Sequence, residues 1–170
     1  MNQTCCIFKT SMGLAGAAFN NDYLARFWLP GFNKKELLTQ MKHWSPLFEL
    51  KTCGRFEKKV VRYFEGRAVV FDEAVSLGTM SGFYTSVYEN LRKVERGKTV
   101  SYGELASLSG APGAARAVGS AMAKNPIPLI IPCHRVVKCD GSLGNFSGPG
   151  GVEQKRRMLI IEQDLKGSVQ

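Results

Sequence analysis

No stretch of the 170-residue chain approaches ~20 uninterrupted apolar residues, so the sequence offers no membrane-spanning helix. Positive charge is missing from the first residues. Asn2, Gln3 and Thr4 stand where a secretory leader would carry lysine or arginine, which predicts a cytoplasmic protein, or a nuclear one in a eukaryote. Histidine is scarce as well, with only His43 and His134. Zinc needs clustered thiolate and imidazole ligands, and the adjacent Cys5 and Cys6 lack the usual two-to-four-residue spacing, so neither metal nor cofactor is expected. The remaining cysteines, Cys53, Cys133 and Cys139, bring the count to five, an odd number without framework spacing, which predicts free thiols in a reducing compartment. Acidic residues are outnumbered 14 to 23 by lysine and arginine, and the net charge of +9 favours nucleic acid or another polyanion as partner.

The charge is unevenly spread. Between Arg92 and Lys138 eight basic residues face only Glu95 and Glu104, whereas Met1 to Gly78 mixes 11 basic with 7 acidic residues and reads as scaffold. In that first half, residues 3–9, 13–19 and 23–29 are short β-rich runs separated by turn chemistry at Ser11-Met12-Gly13 and Asn20-Asn21-Asp22, which predicts a three-stranded meander. Apolar residues at helical spacing predict helices over 34–43 and 56–64 packed on that sheet. Residues 71–82 lack periodicity and carry two glycines, so the linker is placed there. The expected fold class is α/β of the α+β kind. A small N-terminal sheet domain with helices occupies residues 1–78, and a mainly helical C-terminal domain occupies 79–170.

Phe83, Val87 and Leu91, spaced by four, open that second domain on one helical face. Ser101 and Glu104 fit a capping box, in which the serine accepts from the third helical amide and the glutamate reaches back to the cap amide. The helix they start ends near Ser109-Gly110; a second is predicted from Gly113 to Lys124 with Pro112 at its entrance, stopped by Asn125-Pro126. Two short helices about a glycine-containing turn make a helix-turn-helix pattern. The second helix carries Ala114, Ala115, Ala117, Gly119, Ser120 and Ala121, with Arg116 as its one long cation before Lys124. So bare a helix packs closely inside a core or approaches DNA through backbone and shape, since major-groove readers carry several polar side chains. A narrow minor groove is the seat that suits it.

Ile127 to Pro132 reads as a buried extended segment delivering Cys133 and His134. A thiol is mostly protonated at neutral pH, so a reactive cysteine needs a neighbouring base, and His134 is available. In extended chain the two would point to opposite faces, and contact would require a local turn or a bridging water.

Asn125-Pro126-Ile127-Pro128 followed by Ile131-Pro132-Cys133-His134-Arg135-Val136-Val137 resembles the active-site signature of the O6-alkylguanine-DNA alkyltransferases. The resemblance includes Gly97 to Tyr102, Ala114 to Gly119 and Ala121-Met122 upstream, and Gly144 to Gly148 downstream, about residues 80–165 in all. It implies DNA repair by irreversible transfer of an alkyl group from O6-alkylguanine, and from O4-alkylthymine, to Cys133, once per molecule and with the base flipped out. His134 would deprotonate Cys133 through a bound water and Glu162 would orient the histidine. Tyr102 would donate to the leaving guanine, Asn125 would brace the turn ahead of the active-site segment, and Arg116 would fill the gap in the duplex. The carbonyls of Cys133 and Val136 and the amide of Ser147 would hold the base, with Met122 and Pro128 lining its pocket. The implied partner is double-stranded DNA containing alkylated guanine, met through the minor groove by a monomer that touches no membrane.

Two positions depart from the family pattern. Phe146 stands where a tyrosine is common, which keeps stacking and loses a hydroxyl. The stretch from Ser147 to Glu162 is two residues longer than in common members, which leaves Glu153 as a second acid that could serve His134; its other role is to face the start of the last helix. Two rival readings are a Cys-His hydrolase, which would turn over repeatedly, and a non-catalytic module that binds alkylated DNA, whose members lack the cysteine.

Overall fold

A computed structural model describes residues 3–163; the outer ends of both predicted domains, residues 1–2 and 164–170, lie outside the described residues. The predicted meander is present as β1 (Gln3–Thr10), β2 (Gly13–Asn20) and β3 (Tyr23–Trp28), paired antiparallel in sequence order. A two-residue strand, β4 (Glu49–Leu50), adds in parallel to the far edge of β1 and was too short to be read from periodicity. The helices α1 (Lys34–Trp44) and α2 (Gly54–Phe64) cover the sheet, α1 started by a capping box between Asn33 and Glu36. Leu37 and Met41 of α1 are buried, as are Phe56, Val60, Tyr63 and Phe64 of α2.

The second half contains α3 (Gly82–Arg92), β5 (Val100–Ser101), α4 (Tyr102–Leu108), α5 (Ala115–Ala123), a one-turn 3-10 helix at Cys133–Arg135, β6 (Val136–Val137) and α6 (Gly151–Gln163). The strands β5 and β6 pair in parallel, Val100 with Val136 and Ser101 with Val137. This short ladder ties the chain entering α4 to the chain leaving Cys133-His134-Arg135. The predicted Ser101–Glu104 box starts α4, with both reciprocal bonds formed at 3.1 and 2.8 Å.

Three expectations are corrected. The helix α5 begins at Ala115 rather than Gly113, because Gly113 takes φ +86°, a left-handed turn conformation that Pro112 and Gly113 spend on reversing the chain between the two helices. Residues 127–132 are not extended: Leu129 adopts φ +79° and the Ile131 amide donates to the Ile127 carbonyl, so the chain turns before Cys133. Cys6 and Cys53 are not free thiols but form a disulfide between β1 and the entry to α2, where the fold brings their Cα atoms to 6.0 Å across a separation of 47 residues. Cys5, Cys133 and Cys139 remain free.

One hydrophobic cluster runs from Cys6, Phe8 and Phe27 of the sheet through Tyr63, Val87 and Leu91 to Ile131, Val136 and Met158. Residues 71–81 form no helix, and Val75 bridges to Leu24 so that the connection follows the edge of β3. Among the described residues no helix is long and apolar enough to cross a membrane.

Candidate active site

The turn at 127–132 is held by Asn125, whose amide Nδ2 donates to the Ile131 carbonyl at 2.8 Å while its Oδ1 accepts from the Ile127 amide at 3.0 Å. That clamp fixes the chain entering the 3-10 helix, and the helix supplies the local turn that an extended Cys-His pair would have lacked. Cys133 is 5% exposed and lines a cleft of about 740 Å³. Burial pushes its thiol upward, opposed by the Asn125 side chain and the charge of Lys155, so the sulfur rests protonated. Tyr102 lines the same cleft from the first turn of α4, and burial, with Cys133 close by, raises its hydroxyl too, leaving it a proton donor. Gly144 lies so close that a Cβ there would sit 2.5 Å from the Tyr102 Oη, so the glycine is what lets that hydroxyl stand in the cleft.

Behind the sulfur, His134 is fully buried and its Nε2 lies 2.7 Å from Glu162 Oε1. A carboxylate accepts, so Nε2 carries the proton and Nδ1 keeps its lone pair; Nδ1 is buried with no hydrogen-bond partner among the described residues. Burial lowers the basicity of His134 beyond what Glu162 restores, and the ring is neutral at pH 7. Glu162 itself would be raised by burial, but the hydrogen bonds and charges of His134 and Arg135 reverse this and hold it well below the ordinary carboxylate range. Arg135 binds both of its oxygens, Nε to Oε2 and Nη2 to Oε1, each at 2.9 Å. The Tyr63 hydroxyl donates to Oε1 at 2.8 Å and the Gly97 amide to Oε2 at 3.2 Å. Glu153, the other candidate acid, is exposed on α6 and pairs with Arg156 and Arg157 at 3.3 and 3.4 Å.

The cleft wall opposite Tyr102 is α5, which contributes Ala115, Arg116, Gly119 and Met122; Phe146 and Ser147 close it from the following loop. Arg116 is exposed, and Ala117 on the same helix and Ala114 at its N-cap are half-buried. Pro128 and Asn125 do not line this cleft but a smaller neighbour that also reaches Cys133. Val136 is buried and lines neither, its carbonyl accepting from Lys155 Nζ at 2.6 Å. The acid, base, nucleophile and tyrosine of the sequence reading therefore converge, while Val136 turns its carbonyl to a lysine.

A family model, the DNA-binding domain of 6-O-methylguanine DNA methyltransferase, matches residues 82–164. The methylated-DNA–protein-cysteine methyltransferase of Mycobacterium tuberculosis (strain ATCC 25618 / H37Rv) is 42% identical over 125 residues, 71% of this chain and 70% of that protein. The chain belongs to the methylated-DNA–protein-cysteine methyltransferase family. The likeness extends to the fold, because the crystal structure of the M. tuberculosis O6-methylguanine methyltransferase superposes with a TM-score of 0.79 at 29% identity, over 95% of this chain and 93% of that one. The crystal structure of Mycobacterium tuberculosis OGT in complex with DNA gives a TM-score of 0.78 at 30% identity, over 95% of this chain and 93% of that one.

The structure also places beside this site residues that sequence reasoning missed. Lys155 is wholly buried beside Cys133 and Tyr102, its ammonium 5.9 Å from the Tyr102 ring centre, and burial lowers its basicity. Tyr63 comes from the N-terminal half, so the segment read as scaffold also supplies a hydrogen bond to the Glu162 carboxylate beside His134. Arg96 braces the same region, donating to the Ile161 carbonyl at 2.7 Å with its guanidinium 5.1 Å from the Tyr63 ring centre.

Proposed function

We propose that Cys133 takes the alkyl group from O6 of a damaged guanine in double-stranded DNA, with His134 as its base and Tyr102 as the acid for the leaving guanine. DNA repair by alkyl transfer is the activity of the family, and the observation that carries the residue assignment is the buried relay from Glu162 through His134 beside a buried, protonated thiol. The sulfur attacks a saturated carbon, so no tetrahedral oxyanion needs stabilising; an ionised sulfur and a protonated leaving group suffice. The thiol proton passes to the free Nδ1 of His134 through an intervening water, the S–C bond forms as C–O6 breaks, and Tyr102 gives its proton to the departing base. The product is a thioether, which water does not reopen under mild conditions, so each molecule works once. Asn125 positions the nucleophile, while Met122, Phe146 and Ser147 form the base pocket.

The DNA is met through the minor groove by Ala114, Ala115, Ala117 and Gly119, whose small side chains permit close approach, in a protein acting as a monomer. The target atom is inaccessible in a stacked duplex, so the base must flip out at a cost of a few kcal/mol. Residues 79–170 act as the DNA-binding and transfer domain; residues 1–78 support it, with the boundary in the extended stretch before α3. Intact-protein mass after incubation with O6-methylguanine DNA tests the whole reading. One methyl per chain, on the peptide containing Cys133, is expected; repeated turnover without label would favour the hydrolase.

Two further outcomes follow from this placement. DNA affinity falls on the order of ten-fold or more between 50 and 200 mM salt, as a few phosphate contacts require, and differs little among undamaged sequences; a flat response in a filter-binding titration would make the Arg92–Lys138 surplus a merely solvated face. Arg116→Ala slows repair of duplex DNA far more than reaction with free O6-benzylguanine, which needs no flipping. A guanidinium stacks flat on bases and still donates hydrogen bonds, so it suits the space the guanine leaves. Equal slowing of both single-turnover rates would mean that Arg116 serves the pocket instead.

A further inference from the structure

Tyr63, on α2 of the N-terminal half, is 1% exposed, and its hydroxyl stands beside both members of the Glu162–His134 pair. It donates to Glu162 Oε1 at 2.8 Å and lies 3.4 Å from His134 Nε2. The same oxygen accepts from Nε2 at 2.7 Å and from Arg135 Nη2 at 2.9 Å, while Arg135 Nε and the Gly97 amide take Oε2. A carboxylate offers about four lone-pair sites. Five donor contacts share them here, three on Oε1, so what the tyrosine takes is withdrawn from the histidine.

The fold fixes the hydroxyl in that place. The Tyr63 ring packs edge-on against Phe64 with centroids 5.1 Å apart and lies 6.0 Å from Phe71. Arg96, over its face, donates to the Gly66 carbonyl just past α2 and to the Ile161 carbonyl on α6, so one side chain ties the end of α2 to the helix that carries Glu162. The other end of α2 is tied to β1 by the Cys6–Cys53 disulfide. Burial and the neighbouring carboxylate hold the hydroxyl well above the ordinary phenol range, so it stays a donor at any working pH.

The base has two conflicting needs. His134 must be neutral before transfer, or Nδ1 accepts nothing, and cationic after it, which calls for a carboxylate at Nε2. A carboxylate given wholly to Nε2 would favour the imidazolium at rest. Of the other charges facing the ring, Arg135 from the 3-10 helix and Lys155 from α6 oppose its protonation, and Glu162 favours it. Moderating Glu162 therefore meets the first need without abandoning the second.

We propose that Tyr63 is a positioning residue for the transfer, whose hydroxyl holds Glu162 Oε1 against His134 and takes a share of the charge that would otherwise go to the imidazole. The inference rests on the transfer to Cys133 proposed above and adds no chemical step. It makes the N-terminal half a part of the machinery that readies the base.

Single-turnover rates on an O6-methylguanine duplex, followed across pH in the full chain, test it. Tyr63→Phe removes one oxygen and keeps the ring. The acid limb, where His134 becomes protonated, is expected to move up by about half a pH unit, the scale of one hydrogen bond among several, while the plateau drops roughly fivefold as the carboxylate loosens. Because Tyr63 acts through the carboxylate, the same substitution made on top of Glu162→Gln costs less than about twofold more. Phe71→Leu, which loosens the ring and leaves the hydroxyl, lowers the melting temperature without moving the limb. An acid limb that stays put in Tyr63→Phe overturns the proposal, and that readout needs only the single variant. So does an equal loss from Tyr63→Phe with and without the Glu162 carboxylate, or a limb that Phe71→Leu moves as far, since either would make Tyr63 a packing residue. Failure of the parent to take methyl onto Cys133 would instead bring down the reading on which the inference rests; normal methyl uptake with an unmoved limb sinks the inference alone.

Discussion

Cys133→Ser is expected to abolish alkyl transfer, by at least ~1000-fold in single-turnover rate, while DNA affinity stays within about twofold of the parent. A serine hydroxyl is far harder to ionise than a thiol, and the site does nothing to make ionisation easy. Burial already pushes the Cys133 thiol upward despite Asn125 and Lys155, so the nucleophile is formed only as His134 removes the proton. The substitution leaves α4 and α5 untouched, and the oxygen can keep company with the same polar neighbours. The measurement pairs intact-protein mass after exposure to O6-methylguanine DNA with a binding isotherm on the same duplex. Label persisting in the variant, or found on Cys139 or on Cys5 in the parent, would place the nucleophile elsewhere. Cys139 is exposed, whereas burial pushes Cys5 up to about 12, so Cys139 is the more demanding control.

The parts of this site that were legible in the sequence are those whose partners lie close along the chain. Ser101 and Glu104 cap α4 as their spacing requires, and Asn125 clamps a turn two and six residues ahead of it. The meander was legible because its turns are local. Glu162 was ambiguous because the loop at Gly148-Pro149 shifts the count along α6; about two and a half turns of helix separate it from Glu153, and only the packing of α6 against the 3-10 helix shows which acid faces His134. Lys155 stands beside Arg156 and Arg157, and such a run reads as a solvated face until the helix is docked with one of the three turned inward. Tyr63 lies 99 residues from Glu162, and Cys6 lies 47 from Cys53, distances at which no local periodicity carries information. The strained Leu129 backbone was hidden by its apolar neighbours, which suit an extended strand equally well.

Glu162→Gln is expected to damage stability and catalysis together, because one carboxylate accepts five hydrogen bonds from four residues. The side chain is fully buried and Arg135 is nearly so, and removing one charge of such a pair leaves the other uncompensated at a cost of about 3 kcal/mol. In a chain of this size that corresponds to a melting temperature roughly 6–12 °C lower. Holding the carboxyl below the ordinary range means that the folded state binds the proton less readily than the unfolded chain, whose glutamates titrate near ~4.3. The stabilisation is therefore complete above that value and is lost as pH falls toward the depressed folded one. Denaturant titrations should show the gap between parent and variant full at pH 7 and narrowed at pH 3; an equal gap at both would assign the loss to packing. Catalysis declines on the order of 100-fold, because the amide no longer fixes Nε2 as the protonated nitrogen and Nδ1 as the acceptor. The pH profile separates the two effects. In the parent, burial holds His134 below its usual basicity, so the transfer rate is level above pH ~6.5 and declines only at lower pH, where the imidazolium can no longer accept the thiol proton. Without the carboxylate that partly supports its charge, His134 becomes still less basic, and the acid limb of the variant moves to lower pH while its plateau drops. A variant that lost rate with the parent's profile unshifted would show that Glu162 supports the fold without setting the state of the base.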